Sequence, residues 1–484
     1  MLEVFRTDDD GVNDDTSSDN ANYPQEILGS SPPELDDIMK IFPWGFASML
    51  DDAFRNFIPD EDLDVLTLDD SPQHSVLSND GLEQFETVAK VLIQDLHSLH
   101  CNLFTMDPTY GERFDLNIAT SVFSATNLRT FSSTYFRLSH VHFPIVHSPS
   151  FGSGQTSKVL ILAVSMIGAL RATPTQDAIA ARDFIRLTEE FIFRELAKTM
   201  LGLAPVIPTT SVLETMQAAV IIAYTMMVNN NVMTRRRCRT HRLPTLVAAA
   251  RYFGVNKLKR YHGIDWTQFI YDETCIRIAN WTAIADWQHG GMLAYPPLIT
   301  TGEMACNLPC RRELWEAPDA VAYLIEKGAM DMIVPANSLC WSVQDFVAAL
   351  MGERWSLASM FPPNSVTVDN LSYISVALAN MTLSASIMMT LQASGKTLRR
   401  ATDRWQEIWD DVVSRMDPKV LLKTGMTRHS PETVSLVRMI IEASQSGATS
   451  SHPYFLSVAH DTPAELFNFI VDISGDAFAT APQA

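Results

Sequence analysis

Residues 265–287 read DWTQFIYDETCIRIANWTAIADW. Asp265 has the short acceptor side chain that caps a helix N-terminus, and it opens a helix running through Trp281. Apolar residues go nearly all the way round that helix, so it belongs in the interior rather than on a surface. Glu273 and Arg277 stand four apart, on the side shared with Trp266, Ile270 and Trp281. An ion pair buried there fixes helix register more than it adds stability.

The same helical reading extends outward in both directions. Ser211 followed by Glu214 has capping-box spacing and opens the apolar run to Val228. Residues 242–253 form a helix stopped by Gly254, where a left-handed residue is needed. The apolar run 159–170 lies between Lys158 and Arg171 and is too short to span a bilayer. Residues 370–395 carry no charge, but Ser, Thr and Asn interrupt them throughout, and they read as one core helix. No sustained alternation of apolar and polar residues marks a strand, and no internal repeat is present. The fold class is all-α.

The N-terminal part differs. Formal charge over the 484 residues is −20, from 36 Lys and Arg against 56 Asp and Glu. Residues 1–80 hold 20 of those acids against Arg6, Lys40 and Arg55, a balance of −17. Residues 1–34 have too few large apolar side chains to offset ordering entropy, and are expected to be disordered. From 35 to 70, acids alternate with bulky apolar residues. Phe46, Met49, Leu50, Ala53, Phe54 and Phe57 line one face of a helix over 44–58, with Asp51 and Asp52 turned away. Such a segment folds into a partner's groove, or else packs on the chain's own core. The expected organisation is an acidic, largely disordered segment over 1–81 and a helical body over 82–484.

Targeting and redox signals are simple. The first residues, MLEVFRTDDD, are acidic where a secretory or mitochondrial leader would be basic. The six cysteines are scattered, the first being Cys101, which fits a reducing compartment. A soluble intracellular protein, without membrane contact, is expected.

Motifs for chemistry are sparse. His140, His142 and His147 lie close together, but no Asp, Glu or Cys between them completes a metal shell, and Pro144 and Pro149 break the helix that would align them. Cys306 and Cys310 have no histidine at finger spacing; Tyr323 occupies that place. Both sets read as packing residues. The basic run TRRRCRTHR, 234–242, has two readings. Arg235, Arg236, Arg237, Arg239 and Arg242 serve a nuclear-import receptor or phosphates, or they pair with carboxylates of the core. No phosphate-binding, dinucleotide or nucleophile-elbow motif occurs. A helical prenyl-diphosphate enzyme would need a third carboxylate after an Asp pair. Asp36-Asp37, Asp51-Asp52 and Asp410-Asp411 all lack it. The chain is not expected to be an enzyme.

Three segment pairs, in order, carry a resemblance. They are YFRLSHVHFPIVHSPSF (135–151) with LILAVSMIGALRA (160–172), then MQAAVIIAYTMM (216–227) with RRRCRTHRLPTLVAAARYFGV (235–255). The third joins 265–287 to YPPLITTGEMACNLPCRRELWEA (295–317). Together they resemble the fungal-specific transcription factor domain, the helical regulatory region of fungal zinc-finger regulators. The likeness is clearest over 130–317 and is closest to the branch that carries paired two-Cys, two-His fingers.

The resemblance implies a nuclear transcriptional regulator, often of clustered specialised-metabolism genes, with 35–70 as an activating segment that recruits a coactivator. It implies zinc only in a finger, and the first hundred residues hold no cysteine to build one. Promoter DNA is then reached through a module ahead of this sequence, or through a DNA-binding relative or a homodimer. The alternative is a co-regulator that tethers or sequesters a zinc-finger relative.

Overall fold

The computed structural model describes residues 82–107, 110–201, 207–227, 231–260, 265–334 and 340–479. The chain divides into two units, Met1–Phe42 and Pro43–Ala484, and every described residue lies in the second. The expected helix over 44–58, with Phe46, Met49, Leu50, Phe54 and Phe57, falls outside the described residues.

The longer helices are α1 (Leu82–Met106), α2 (Ala125–Leu138), α3 (Lys158–Arg171), α4 (Ile185–Thr199), α5 (Thr210–Met227), α6 (Leu243–Tyr252) and α7 (Trp266–Leu293). They continue as α8 (Ala320–Ile333), α9 (Val343–Met351), α10 (Val368–Ile387), α11 (Leu391–Ser414), α12 (Ser430–Ser446) and α13 (Ala464–Ala479). Among the described residues extended pairing is limited to one isolated bridge, Asn307 with Ser342. The all-α reading holds.

Helix α7 is the axis of the body. It packs on α5 and α6 on one side and on α10 on the other. Behind α5 lie α3 and α4, and α3 in turn carries α2 and α1. Behind α10 lie α11, α12 and α9. At 28 residues, α7 is about 42 Å long, and both layers close over it. Asp265 caps it, accepting from the Gln268 N–H at 2.8 Å. The helix runs past Trp281 to Leu293 and ends at Ala294 in left-handed backbone, just before Pro296 and Pro297.

Helix α3 is buried from Val159 through Ala169, as its uniform apolarity requires. It lies so close to α2 that the Ser165 hydroxyl donates to the Leu128 carbonyl at 3.1 Å and meets the Ser132 hydroxyl at 3.0 Å. Gly168, one turn on, has the Phe131 carbonyl oxygen 1.7 Å from where a Cβ would stand.

Two sequence expectations are corrected. Ser211 and Glu214 do not form a capping box: α5 starts two residues earlier, with the Val212 N–H on the Thr209 hydroxyl at 3.4 Å. Glu214 instead accepts from the Ser157 backbone N–H at 2.8 Å. That is the bond a glutamate three residues into α3 would normally make to the cap, and Leu160 occupies that place. Residues 370–395 are two helices rather than one. The chain turns at Met388–Thr390, where Met389 is left-handed (φ 59°), and α11 folds back on α10. No Gly or Pro marks the turn; packing of the two helices imposes it.

The basic run has a distinctive backbone. Val232–Arg237 is α-helical, Cys238–Arg242 forms a π-helical turn, and α6 follows without interruption. Pro244, second in α6, lacks the N–H that would bond the Thr240 carbonyl, and the wider turn relieves the clash of its ring with the preceding turn. Gly254 stops the helix at φ 68°, as its position in the sequence predicts.

Candidate functional site

The polar residues of α7 point to loops on both sides of it. Glu273 is fully buried and accepts from the Arg277 Nε at 2.9 Å, from the Cys310 backbone N–H at 2.8 Å and from Arg260. Arg277 donates onward to the Pro144 carbonyl at 2.7 Å and the Cys310 carbonyl at 3.1 Å, with its guanidinium 4.6 Å from the centre of the Trp315 ring. Burial alone would push the Glu273 carboxyl up. Arg260 and Arg277 outweigh it and hold the carboxyl below the usual range.

One turn further, the Asn280 amide donates to the Asn307 carbonyl at 3.0 Å. Asp286 accepts from the N–H groups of Leu298 and Ile299 at 2.7 and 2.8 Å. Across the interface, Gln217 of α5 donates to the Ile145 carbonyl at 2.8 Å. One helix therefore fixes the loops 143–146, 297–299 and 306–310 through side-chain hydrogen bonds to backbone.

These loops and helices are the segments on which the resemblance was read. A family model described as the fungal specific transcription factor domain matches residues 133–405, more than half of the chain. The chain belongs to this family. Transcription factor verF of Penicillium polonicum is 23% identical over 233 residues, covering 46% of this chain and 31% of that protein. The chain thus spans about a third of that relative's length. No solved structure matches it. The matched region of the fungal specific transcription factor domain runs from within α2 to within α11, so α7 and its loops lie inside it and α12 and α13 lie beyond. By family the protein is a transcriptional regulator.

Within the domain the arginine cluster pairs with carboxylates and carbonyls of the same chain. Arg237 and Arg242 both bind Glu189 of α4, at 2.6 Å, and Arg242 also reaches Glu190. Glu190 sits at about 2: burial opposes its ionisation, but Arg194 and Arg242 win. Arg236 pairs with the Asp461 carboxylate, Arg235 donates to the Asp461 carbonyl at 3.0 Å, and Arg239 donates to the His460 carbonyl at 3.1 Å. All five are engaged inside the chain, and Arg236 stays about half exposed. The acids that bind them lie far off in sequence, which is why spacing alone left both readings open.

The histidines and cysteines are also structural. His140 meets Glu316 at 2.7 Å, His142 accepts from the Met426 N–H at 3.2 Å, and His147 meets the Ser150 hydroxyl at 2.9 Å. Each histidine has a partner of its own, and no group of three or more metal-ligating residues occurs among the described residues. Burial pushes the thiols of Cys306 and Cys310 up to about 12, far from a reactive thiolate at neutral pH. Asp410 and Asp411 sit on the outer side of α11, bound by Gln406 and Arg415. A groove of about 410 Å³ on that helix is lined by Trp355, Lys396, Arg400 and Arg404. Its Arg404 serves to bind the last carbonyls of α9, at Leu350 and Gly352. Among the described residues no helix is long and apolar enough to cross a membrane; the pair that passes together is bent by 116°.

Sequence reading missed a second, half-buried ion pair, Arg312 with Asp369 at 2.7 Å, joined by the Thr427 hydroxyl at 2.9 Å. It ties the loop after α7 to the start of α10 across 57 residues, and no local spacing announces it.

Protonation of the core sets an expected pH response. Burial lowers His142 to about 3 and His147 to about 4. The unfolded chain takes up those protons near 6.5 and the folded chain does not, so stability falls as pH drops from about 6.5 toward 4. Asp286 acts in the opposite sense. Burial raises it to about 7 against the pull of its two N–H donors, whereas the unfolded carboxyl ionises near 3.8. The folded state then holds the extra proton, and this group alone makes stability fall as pH rises from about 4 to 7. In Asp286→Asn the opposing slope is removed. Urea unfolding should show stability rising more steeply with pH than in the parent, by up to about 1.4 kcal/mol per pH unit; an unchanged slope would mean that Asp286 is ionised throughout.

Proposed function

We propose that the chain activates transcription in the nucleus through residues 35–70, with the helical body over 82–484 as its regulatory part. The observation that carries this is the spacing of Phe46, Met49, Leu50, Phe54 and Phe57 on one face among acids, in a segment of net charge far below that of the rest. Such a face supplies apolar anchors to a coactivator groove, and the acids speed encounter with a basic rim. The regulated genes are those of a specialised-metabolite cluster, and no catalysis or bound cofactor is involved.

Promoters are reached through a DNA-binding relative. Every arginine of the 234–242 run is engaged within the chain, which supports contact with DNA through another protein rather than through this cluster. Residues 1–80 fused to an unrelated DNA-binding domain should drive a reporter. Replacing Phe46, Leu50 and Phe54 together by alanine should abolish that output. Silence of the parent fusion, or output that survives the triple change, sinks the activation reading. Full-length protein that shifts promoter DNA unaided, with no zinc-finger relative co-precipitating from nuclei, sinks the tethering one.

A further inference from the structure

Helix α8 carries its apolar face on the outside. Asp319 caps it, accepting from the N–H groups of Val321 and Ala322 at 2.9 Å. Toward the body it buries Tyr323 on Phe269, with ring centres 4.6 Å apart, beside Leu314 and Ala317. The opposite side exposes Val321 (67%), Leu324 (63%), Ile325 (65%) and Met332 (83%), with Gly328 and Ala329 between them. Counted from Val321, these positions are i, i+3, i+4, i+7, i+8 and i+11, the stripe of a core helix. No part of the described body covers it.

We propose that this stripe is the contact between two copies of the chain, with the two α8 helices packed antiparallel across a two-fold axis. The stripe is self-complementary in that arrangement. When positions whose numbers sum to 653 face each other, Ile325 lies over the partner's Gly328 and Val321 lies beside the partner's Met332. The two-fold axis repeats both contacts. Large residue meets small at the centre. A parallel pair would set glycine against glycine and isoleucine against isoleucine, leaving a gap beside a clash.

Gly328 supports the same arrangement. Nothing lies within 4 Å of where its Cβ would stand, so its own chain does not require glycine there. A mid-helix glycine costs about 1 kcal/mol relative to alanine, and close approach of a second helix accounts for it. Glu326 and Lys327 lie off the stripe, so closing it buries neither. The four large side chains of the stripe present on the order of 500 Å² per copy at roughly 180 Å² each, with Gly328 and Ala329 adding to it. Two copies therefore bury roughly 1,000 Å², about what a specific interface needs.

The test is the mass of the full-length protein by light scattering at about 50 µM. The chain of 54.0 kDa should run at twice its mass. Gly328→Leu and Ile325→Glu should each weaken the dimer at least tenfold, while their circular dichroism melts match the parent's monomer because both sites are solvent-exposed. A monomeric parent overturns the proposal and leaves the face to a different protein or to another part of this chain. A dimer insensitive to both changes also overturns it, placing the contact elsewhere.

Discussion

Replacing Glu273 by alanine should cost the fold roughly 3–5 kcal/mol, the range for removing one partner of a buried ion pair. Glu273 and Arg277 are 0% and 2% exposed, and Arg260 adds a second cation to the same carboxylate. Without that carboxylate two guanidinium groups stay in the interior uncompensated, and the Cys310 N–H loses its acceptor. Glu273→Gln separates the two contributions. The amide oxygen still accepts a hydrogen bond, so whatever loss remains is that of the charge. In the double variant Glu273→Gln/Arg277→Met part of the loss should return, because one uncompensated cation is gone; the Pro144 and Cys310 carbonyls then lack their donor. Urea midpoints followed by far-ultraviolet dichroism give the comparison. A loss under about 1 kcal/mol for Glu273→Ala would show that water reaches the pair.

Gly168→Ala is expected to be about as severe, by a different mechanism. A methyl group at Gly168 would sit 1.7 Å from the Phe131 carbonyl oxygen and 2.5 Å from its carbon. Those are backbone atoms of α2, so no rotamer change makes room. The helices must move apart by more than 1 Å, which breaks the Ser165 bond to the Leu128 carbonyl and opens the most extensive helix contact of the body. Overpacking costs typically about 1–3 kcal/mol where side chains can yield; here the loss should reach or exceed the upper end. Gly291→Ala is the matched control. It lies in α7 with nothing within 4 Å, and should be neutral or stabilising by up to about 1 kcal/mol through helix propensity. Equal behaviour of the two variants would show that the α2–α3 crossing is looser than described.

What the sequence made legible was local. The Asp265 cap, the Gly254 stop and the Glu273–Arg277 spacing all act within a few residues, and each is visible as a pattern. The errors were of range. Glu214 has capping-box spacing from Ser211, yet its carboxylate completes the cap of α3, 57 residues earlier. The turn at Met389 has no breaker residue, because the return of α11 onto α10 fixes it. In the buried network around Glu273 and Arg277, one contact is an i,i+4 pair. The others, to Arg260, Pro144 and Cys310, exist only once the chain has folded. The same limit applies to the arginines, whose chemistry was plain in the sequence and whose counter-charges were not.

One of those counter-charges arrives late. Asp461 lies 226 residues after Arg235. At about 5–20 residues per second, a ribosome needs roughly ten to forty-five seconds to make that stretch. Throughout that interval the nascent chain displays Arg236 and Arg239 with their acceptors at 460–461 not yet made. The nascent protein is therefore locally basic in a region where the finished one is neutralised.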